Sequence, residues 1–225
     1  MKAFVFRLFL VRKPFQMWKK IALVIVLMLF TGALFAQSIK KINRNLKREA
    51  PDSFHVVFYT TKGEFEIAVY KEWSPLGATR LYQLVRSKFY SNMYIFRSTN
   101  KYIQFGINNN PTLNKYLDHR TIQDEKVTQS NTTGKVGFAT GGPNNRTVQL
   151  FINKIDNQRL DTIGRSYSFP SIGVVVKGLD IVQNFYGNYK DTITFNHQDS
   201  VMKYGNIYLE KHFPGLDKIK KAKIK

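Results

Sequence analysis

Gln149, Phe151 and Asn153 are the residues whose types and spacing first point to chemistry, because they alternate along the apolar run 148–153. A period of two sends them to one face of a strand, while Val148, Leu150 and Ile152 take the other. An amide beside an aromatic ring on one face suits a site that holds a peptide group and an apolar ring together. A second apolar run, 135–140, is joined to the first by Gly141, Gly142, Pro143, Asn144 and Asn145. These are turn residues, so the two runs are predicted to be strands of one sheet. The chain contains no cysteine, which excludes disulfides, thiol nucleophiles and thiolate metal ligands. His55, His119, His197 and His212 show no metal-ligand spacing, so neither a metal nor another cofactor is expected.

The same residues belong to a longer ordered block. Gly134, Phe138, Ala139, Gly142, Pro143, Asn144, Gln149, Phe151 and Ile152, followed by Leu160 and Asp161, resemble the core signature of the cyclophilins, the family of peptidyl-prolyl cis-trans isomerases. Upstream, Phe96 and Arg97 with Tyr102, Ile103, Gln104, Phe105 and Gly106 resemble the family's F-x-R and F-M-x-Q-G/F-G block. Residues 54–75 resemble its opening hairpin, and Gly173, Val175, Gly178, Leu179, Asp180 and Val182 resemble a later block. The closing stretch from Gly205 to Asp217 is similar to the end of a bacterial branch. The resemblance covers residues 53–225 and implies a mainly β fold, a closed eight-stranded antiparallel barrel carrying two α-helices.

Prolyl isomerisation breaks no σ bond, since its barrier of roughly 18–20 kcal/mol is the amide resonance lost on twisting. A catalyst needs no triad. It must hold the proline ring, restrain a flanking carbonyl and favour the twisted amide over the planar one. A cation near the prolyl nitrogen does the last, because that nitrogen regains a lone pair as resonance is lost. The resemblance makes Arg97 the catalytic residue, and a permanently charged group with several donors suits such stabilisation. It places Tyr102, Ile103, Phe151 and Leu160 in the ring pocket, gives Gln104 and Gln149 the role of side-chain amides, and lines the peptide groove with Ala139 and Thr140.

Three departures accompany the match. Ser98, Thr99, Asn100 and Lys101 replace an apolar-Pro-Gly segment and leave one residue fewer between Arg97 and Gln104. On a strand such a loss inverts the following faces unless a bulge or loop absorbs it. Arg159 stands where some members carry a tryptophan tied to cyclosporin-type macrocycles, which weighs against drug affinity. The family's pocket histidine has no counterpart near residues 164–169, where Tyr167 is the nearest aromatic candidate. The shortened segment motivates an alternative, a non-catalytic proline-binding or chaperone module in the same fold.

Turn signals and periodicity order the rest. Phe54 to Tyr70 reads as a hairpin about Thr61, Lys62 and Gly63. Ser74 and Pro75 predict an N-cap and first-turn proline, followed by a helix burying Leu81, Leu84, Val85 and Phe89. A shorter helix is predicted after Gly178, with Leu179, Val182 and Tyr186 on one face.

Formal charge is +20, and a chain without its first 36 residues would carry +14. Such a surplus favours anionic partners. Proline-containing peptides and unfolded proteins are the partners implied by the resemblance, with weak contact to an anionic membrane surface added by the charge. Nucleic acid is not expected, because neither 40–48 nor the lysine-rich tail 218–225 interleaves aromatics with charge. A monomer is expected. Lys19 and Lys20, the apolar run 21–36 and the small residues Thr31, Gly32 and Ala33 follow the order of a secretory signal. Residues 1–36 are therefore expected to be a leader, with Met17 a candidate true start, residues 37–52 a basic linker, and residues 53–225 the isomerase domain. Export to the periplasm is the expected location; the alternative is anchoring in the membrane through residues 21–36.

Overall fold

Phe54, Val56 and Phe58 alternate with more exposed neighbours, and the chain accordingly forms strand β1 (Ser53–Thr60) with these side chains inward. The amide and hydroxyl of Thr60 both donate to the Gly63 carbonyl, at 2.8 and 2.7 Å. That closes the turn and returns the chain as β2 (Glu64–Tyr70). The computed structural model describes residues 13–162 and 169–225. In them follow β3 (Met93–Ser98), β4 (Tyr102–Phe105), β5 (Lys135–Phe138), β6 (Leu150–Asn153), β7 (Ser171–Lys177) and β8 (Lys218–Ile224). Every pair is antiparallel, and the order β1-β2-β7-β5-β6-β4-β3-β8 closes on itself. Closure leaves no sheet edge open for pairing, and the eight-stranded barrel expected from the sequence is observed.

One closing strand differs from expectation. Residues 218–225 read as a solvated lysine-rich tail, yet β8 pairs with β1 on one side and β3 on the other. Ile219 and Ala222 are buried while Lys220, Lys221 and Lys223 stay exposed. The lysines hide a strand because a barrel wall needs only its inward side chains to be apolar.

Described helices outnumber the two expected. They are α1 (Lys13–Asn45), α2 (Pro75–Arg86), α3 (Pro111–Asp118), α4 (Leu179–Gln183), α5 (Gln198–Tyr204) and α6 (Asn206–His212). The expected pair are α2 and α4. The others in the second half are too short to show an amphipathic period, although α3 carries its own punctuation. Asn110 accepts from the amides of Thr112 and Leu113 at 3.1 and 3.2 Å, and Pro111 opens the helix. The N-terminus of α2 is capped differently from expectation. Ser74 accepts nothing there; its hydroxyl donates to Glu125, whose carboxylate takes the amides of Leu76 and Gly77 at 2.7 and 3.2 Å. A full negative charge at the positive end of the helix replaces the hydroxyl cap. Glu125 is held in turn by the fully buried Arg146 at 3.1 Å.

The chain divides into two compact units, Met1–Lys41 and Ile42–Lys225. In the first, the side chains at 18–26 are exposed. Among the described residues no helix is long and apolar enough to cross a membrane. Residues 1–12 and the side chains at 27–36, where the leader and its cleavage site were expected, lie outside the described residues. In the second unit, residues 42–52 are not the linker the sequence predicted. Ile42 and Ala50 enter the core with Leu46 against it, and Gln83 Nε2 donates to the Leu46 and Arg48 carbonyls at 3.0 and 2.8 Å. Ile42, Leu46 and Ala50 are spaced by four, a stripe too sparse to read as periodic among the surrounding bases.

The barrel interior is aromatic. Phe58 stacks on Phe65 at 4.9 Å and meets Phe105 and Tyr90 edge-on at 5.5 and 5.9 Å. Burial pushes the Tyr90 phenol pKa well up, so it remains a donor, and it bonds the Val148 carbonyl at 2.8 Å. A second apolar cluster lies apart from this core. Phe96, Ile107, Ile193, Val201, Leu209 and Phe213 hold α5, α6 and the π-helical turn Ile193–His197 together with β3. Val182 and Leu179 of α4 join the first cluster, whereas Tyr186 joins the second.

Candidate active site

A bulge decides the orientation of the site. Ile95 pairs with Phe105 and Arg97 with Gln104, so two steps along β3 oppose one along β4 and Phe96 is the extra residue. The shortened segment lies on the other side of Arg97 and is absorbed by the turn, where the Thr99 amide donates to the Tyr102 carbonyl at 3.0 Å while Arg97 pairs with Gln104 and Ser98 with Ile103. Phe96 turns into the second apolar cluster, and Arg97 and Gln104 meet on one face. Arg97 Nη1 donates to Gln104 Oε1 at 2.8 Å, Nη2 to the Tyr102 hydroxyl at 2.8 Å, and Nε to Asp191 Oδ1 at 2.7 Å. The guanidinium also lies 4.6 Å from the Tyr102 ring centre. Its side chain is only 13% exposed.

An arginine has donors only, so the amides beside it are forced into one orientation. Gln104 must turn its oxygen to Arg97, which sends its Nε2 to Gln149 Oε1 at 2.8 Å. The far end of this chain, Gln149 Nε2, is left as a donor that makes no bond among the described residues. Of the five N–H bonds of Arg97 three are engaged. One remains on each terminal nitrogen. The arrangement therefore offers unspent donors from two side chains, fixed in advance by bonds within the protein.

The apolar half lies alongside. Phe151 meets Tyr102 edge-on at 6.5 Å and Phe169 at 5.9 Å. Its ring rests on Gly137, where an added Cβ would stand 2.9 Å from the ring edge. Leu160 comes from a 3-10 turn, Gln158–Asp161, and the paired Asp161 fastens that turn. Asp161 Oδ1 accepts from the amide and the Nδ2 of buried Asn131 at 2.9 and 2.8 Å, and Ser130 adds a bond to Oδ2 at 2.6 Å. Asn131 Nδ2 also reaches the Phe169 carbonyl at 3.0 Å. One network centred on buried Asn131 thus sets both Leu160 and Phe169.

These groups surround a cleft of about 600 Å³. Arg97, Tyr102, Gln104, Ala139, Thr140, Gln149, Phe151 and Leu160 all line it, as expected from the sequence. Ile103 does not. It sits fully buried in the barrel core opposite Ile152, because alternation on β4 turns it away once Tyr102 and Gln104 face the cleft. Tyr167 lies outside the described residues. The sequence reading missed Asp191, Thr194, Phe195, Gln198 and Phe169. The first four come from a polar stretch without apolar period, and their signal is only the isolated Ile193 and Phe195 within it.

A rigid barrel whose wall sets preorganised amide and guanidinium donors beside an aromatic pocket defines a protein that handles an apolar ring attached to a peptide group. Residues 55–205, about two thirds of the chain, match the family described as cyclophilin type peptidyl-prolyl cis-trans isomerase/CLD. The chain belongs to that family, enzymes that catalyse rotation about Xaa-Pro peptide bonds. Among relatives, it is 28% identical over 137 residues to peptidyl-prolyl cis-trans isomerase B of Escherichia coli, covering 59% of this chain and 84% of that one. It is 24% identical over 168 residues to a peptidyl-prolyl cis-trans isomerase of Acinetobacter baylyi, covering 74% and 81%. Of solved structures, a cyclophilin-type isomerase of Cryptosporidium parvum superposes with a TM-score of 0.55 at 17% identity, covering 77% of this chain and 98% of that one. The same Cryptosporidium isomerase in the presence of the dipeptide Ala-Pro superposes with a TM-score of 0.54, also at 17% identity, covering 76% and 98%.

Proposed function

We propose that the cleft is where this isomerase binds and turns its substrate. The proline ring sits among Phe151, Leu160, Phe169 and Tyr102, the Gln149 amide bonds a flanking carbonyl, and Arg97 meets the prolyl nitrogen. The observation that carries the reading is the meeting of Arg97, Gln104 and Gln149 in one bonded row beside the Phe151 ring. The guanidinium is worth more to the twisted amide than to the planar one, because only the twisted form presents a nitrogen lone pair. That difference is what lowers a barrier. The direct pairing of Arg97 with Gln104 supports the catalytic reading over a non-catalytic module, since the turn takes up the short segment and leaves both side chains on one face. Unfolded proteins with exposed Xaa-Pro segments are the proposed substrates.

Cis-trans exchange of an Xaa-Pro peptide, followed by NMR with and without the full chain, tests this. Phe151→Ala should weaken peptide binding and turnover together, since the ring holds proline in both ground and transition states. It should also lower stability by about 3–5 kcal/mol, the usual cost of emptying a packed aromatic position. A Phe151→Ala protein with unchanged affinity would move the ring pocket elsewhere.

Export and removal of the leader are proposed on the order of Lys19, Lys20, the apolar run 21–36 and the small residues at 31–33. N-terminal sequencing of the protein recovered from cells should find a start after residue 33 or 36. Recovery of Met1 or Met17 in the membrane fraction would replace cleavage by anchoring. Contact of the basic surface with anionic lipid is the weaker part of the proposal and is expected to fall as salt rises.

A further inference from the structure

Thr194, Phe195 and Gln198 line the same cleft as Arg97 and Phe151, yet they belong to the connection between β7 and β8. That connection is tied to the barrel wall beside Arg97. Ser98 bridges to Lys190 and its hydroxyl donates to the Phe185 carbonyl at 3.1 Å. Ile193 is fully buried in the second apolar cluster with the bulge residue Phe96. Between these anchors Asp191 accepts the Arg97 Nε hydrogen at 2.7 Å. Beyond them the Phe195 ring centre lies 5.4 Å from the guanidinium, with the residue 73% exposed. A large ring left so open on a cleft wall retains the hydrophobic gain of being covered.

We propose that this connection is a working part of the isomerase site, with Asp191 the positioning residue for Arg97 and Phe195 a specificity-determining residue. The favoured substrates carry an aromatic or large apolar side chain next to the proline. The inference rests on the cleft being the isomerase site. Asp191 takes the one donor at the bend of the guanidinium, which fixes its plane and leaves an N–H on each terminal nitrogen for the substrate. Phe195 rests one side near the cation and presents the rest of its ring to the peptide. A ring face offers no hydrogen bond of the strength a polar side chain would require, so the complementary neighbour is apolar.

Two measurements on the full chain test this, each beside wild type and Arg97→Ala. The first follows the Arg97 Nε–H resonance and exchange kinetics in Asp191→Ala and Asp191→Asn. The resonance should be slow to exchange with solvent in wild type and fast in Asp191→Ala. Turnover should fall about tenfold in Asp191→Ala with peptide affinity within twofold, and Asp191→Asn, which keeps an acceptor, should recover part of it. The second compares peptides with Ala or Phe on each side of the proline. Wild type should favour Phe on one side about fivefold in kcat/KM, and Phe195→Ala should erase that preference. An unchanged resonance and turnover in Asp191→Ala would overturn the positioning role, and an equal preference in Phe195→Ala would overturn the specificity role. Loss of all acceleration already in wild type would remove the site reading and this inference together. Normal wild-type exchange with unaffected variants removes this inference alone.

Discussion

Arg97→Ala should lower kcat for an Xaa-Pro peptide by about a hundredfold or more, with peptide affinity changed only a few-fold. The asymmetry follows from what the guanidinium meets. In the planar amide the prolyl nitrogen has no lone pair to accept a hydrogen bond, so Arg97 contributes little to ground-state binding. In the twisted amide it does, and the donors of Arg97 are already held in place by Gln104, Tyr102 and Asp191. No reorganisation is then needed at the moment of reaction. The variant should still fold. Asp191 is 44% exposed, so water takes the place of its lost partner, and the Gln104 oxygen on the cleft wall is left facing the space the guanidinium vacates. Arg97→Lys keeps the charge but loses the planar fork that bonds three partners at once, and should recover only part of the rate. NMR exchange of the bound peptide separates rate from affinity. Equal exchange in wild type and Arg97→Ala would show that another group stabilises the twisted amide.

Ending the chain at Asp217 should abolish cooperative folding. The sequence gives the last eight residues the look of a detachable basic tail, and their removal would on that reading weaken only surface binding. In the barrel they carry the strand between β1 and β3, with pairs from Val56↔Ile224 to Thr60↔Ile219 and from Met93↔Ile219 to Tyr94↔Lys218. Deleting it opens two edges and uncovers Phe58, whose partner across the ladder is Ala222. It also takes Lys225 from Glu66, which keeps His55 and Lys177. The carboxyl of Glu66 is held below its ordinary pKa first by the hydrogen bond with His55 and then by Lys225, which lies 3.4 Å away. A domain is held folded by only roughly 5–15 kcal/mol, and two opened edges with an uncovered aromatic core draw on all of it. Circular dichroism during urea titration should show no cooperative transition in the truncated chain. The combined variant Lys220→Ser, Lys221→Ser and Lys223→Ser changes only exposed positions, should keep the transition, and is the right reagent for asking whether charge on this strand attracts anionic vesicles. A truncated chain that melted like the full one would mean that the barrel closes without β8.

Much of this protein was legible in its residues taken in order. Period-two alternation placed Gln149 and Phe151 on one face and Leu150 and Ile152 on the other. The glycine and proline turns located the hairpins, and the sequence blocks pointed to the barrel and to most of the cleft. Those features are local, or repeat a pattern whose spacing survives in the chain. Other features depended on a partner that the linear order does not reveal. The bulge at Phe96 shows only in the cross-strand pairing, Ile95 with Phe105 and Arg97 with Gln104, and it puts Ile95 in the core while Arg97 faces the cleft. The lysine-rich end is a strand because β1 and β3 stand ready on both sides of it. Asp191 reaches Arg97 across 94 residues of sequence, carried there by a second apolar cluster whose members are too scattered to form a period. Side-chain direction along one element is determined by backbone geometry and can be read locally, whereas the company a side chain keeps across elements is determined by closure of the barrel and by what packs outside it.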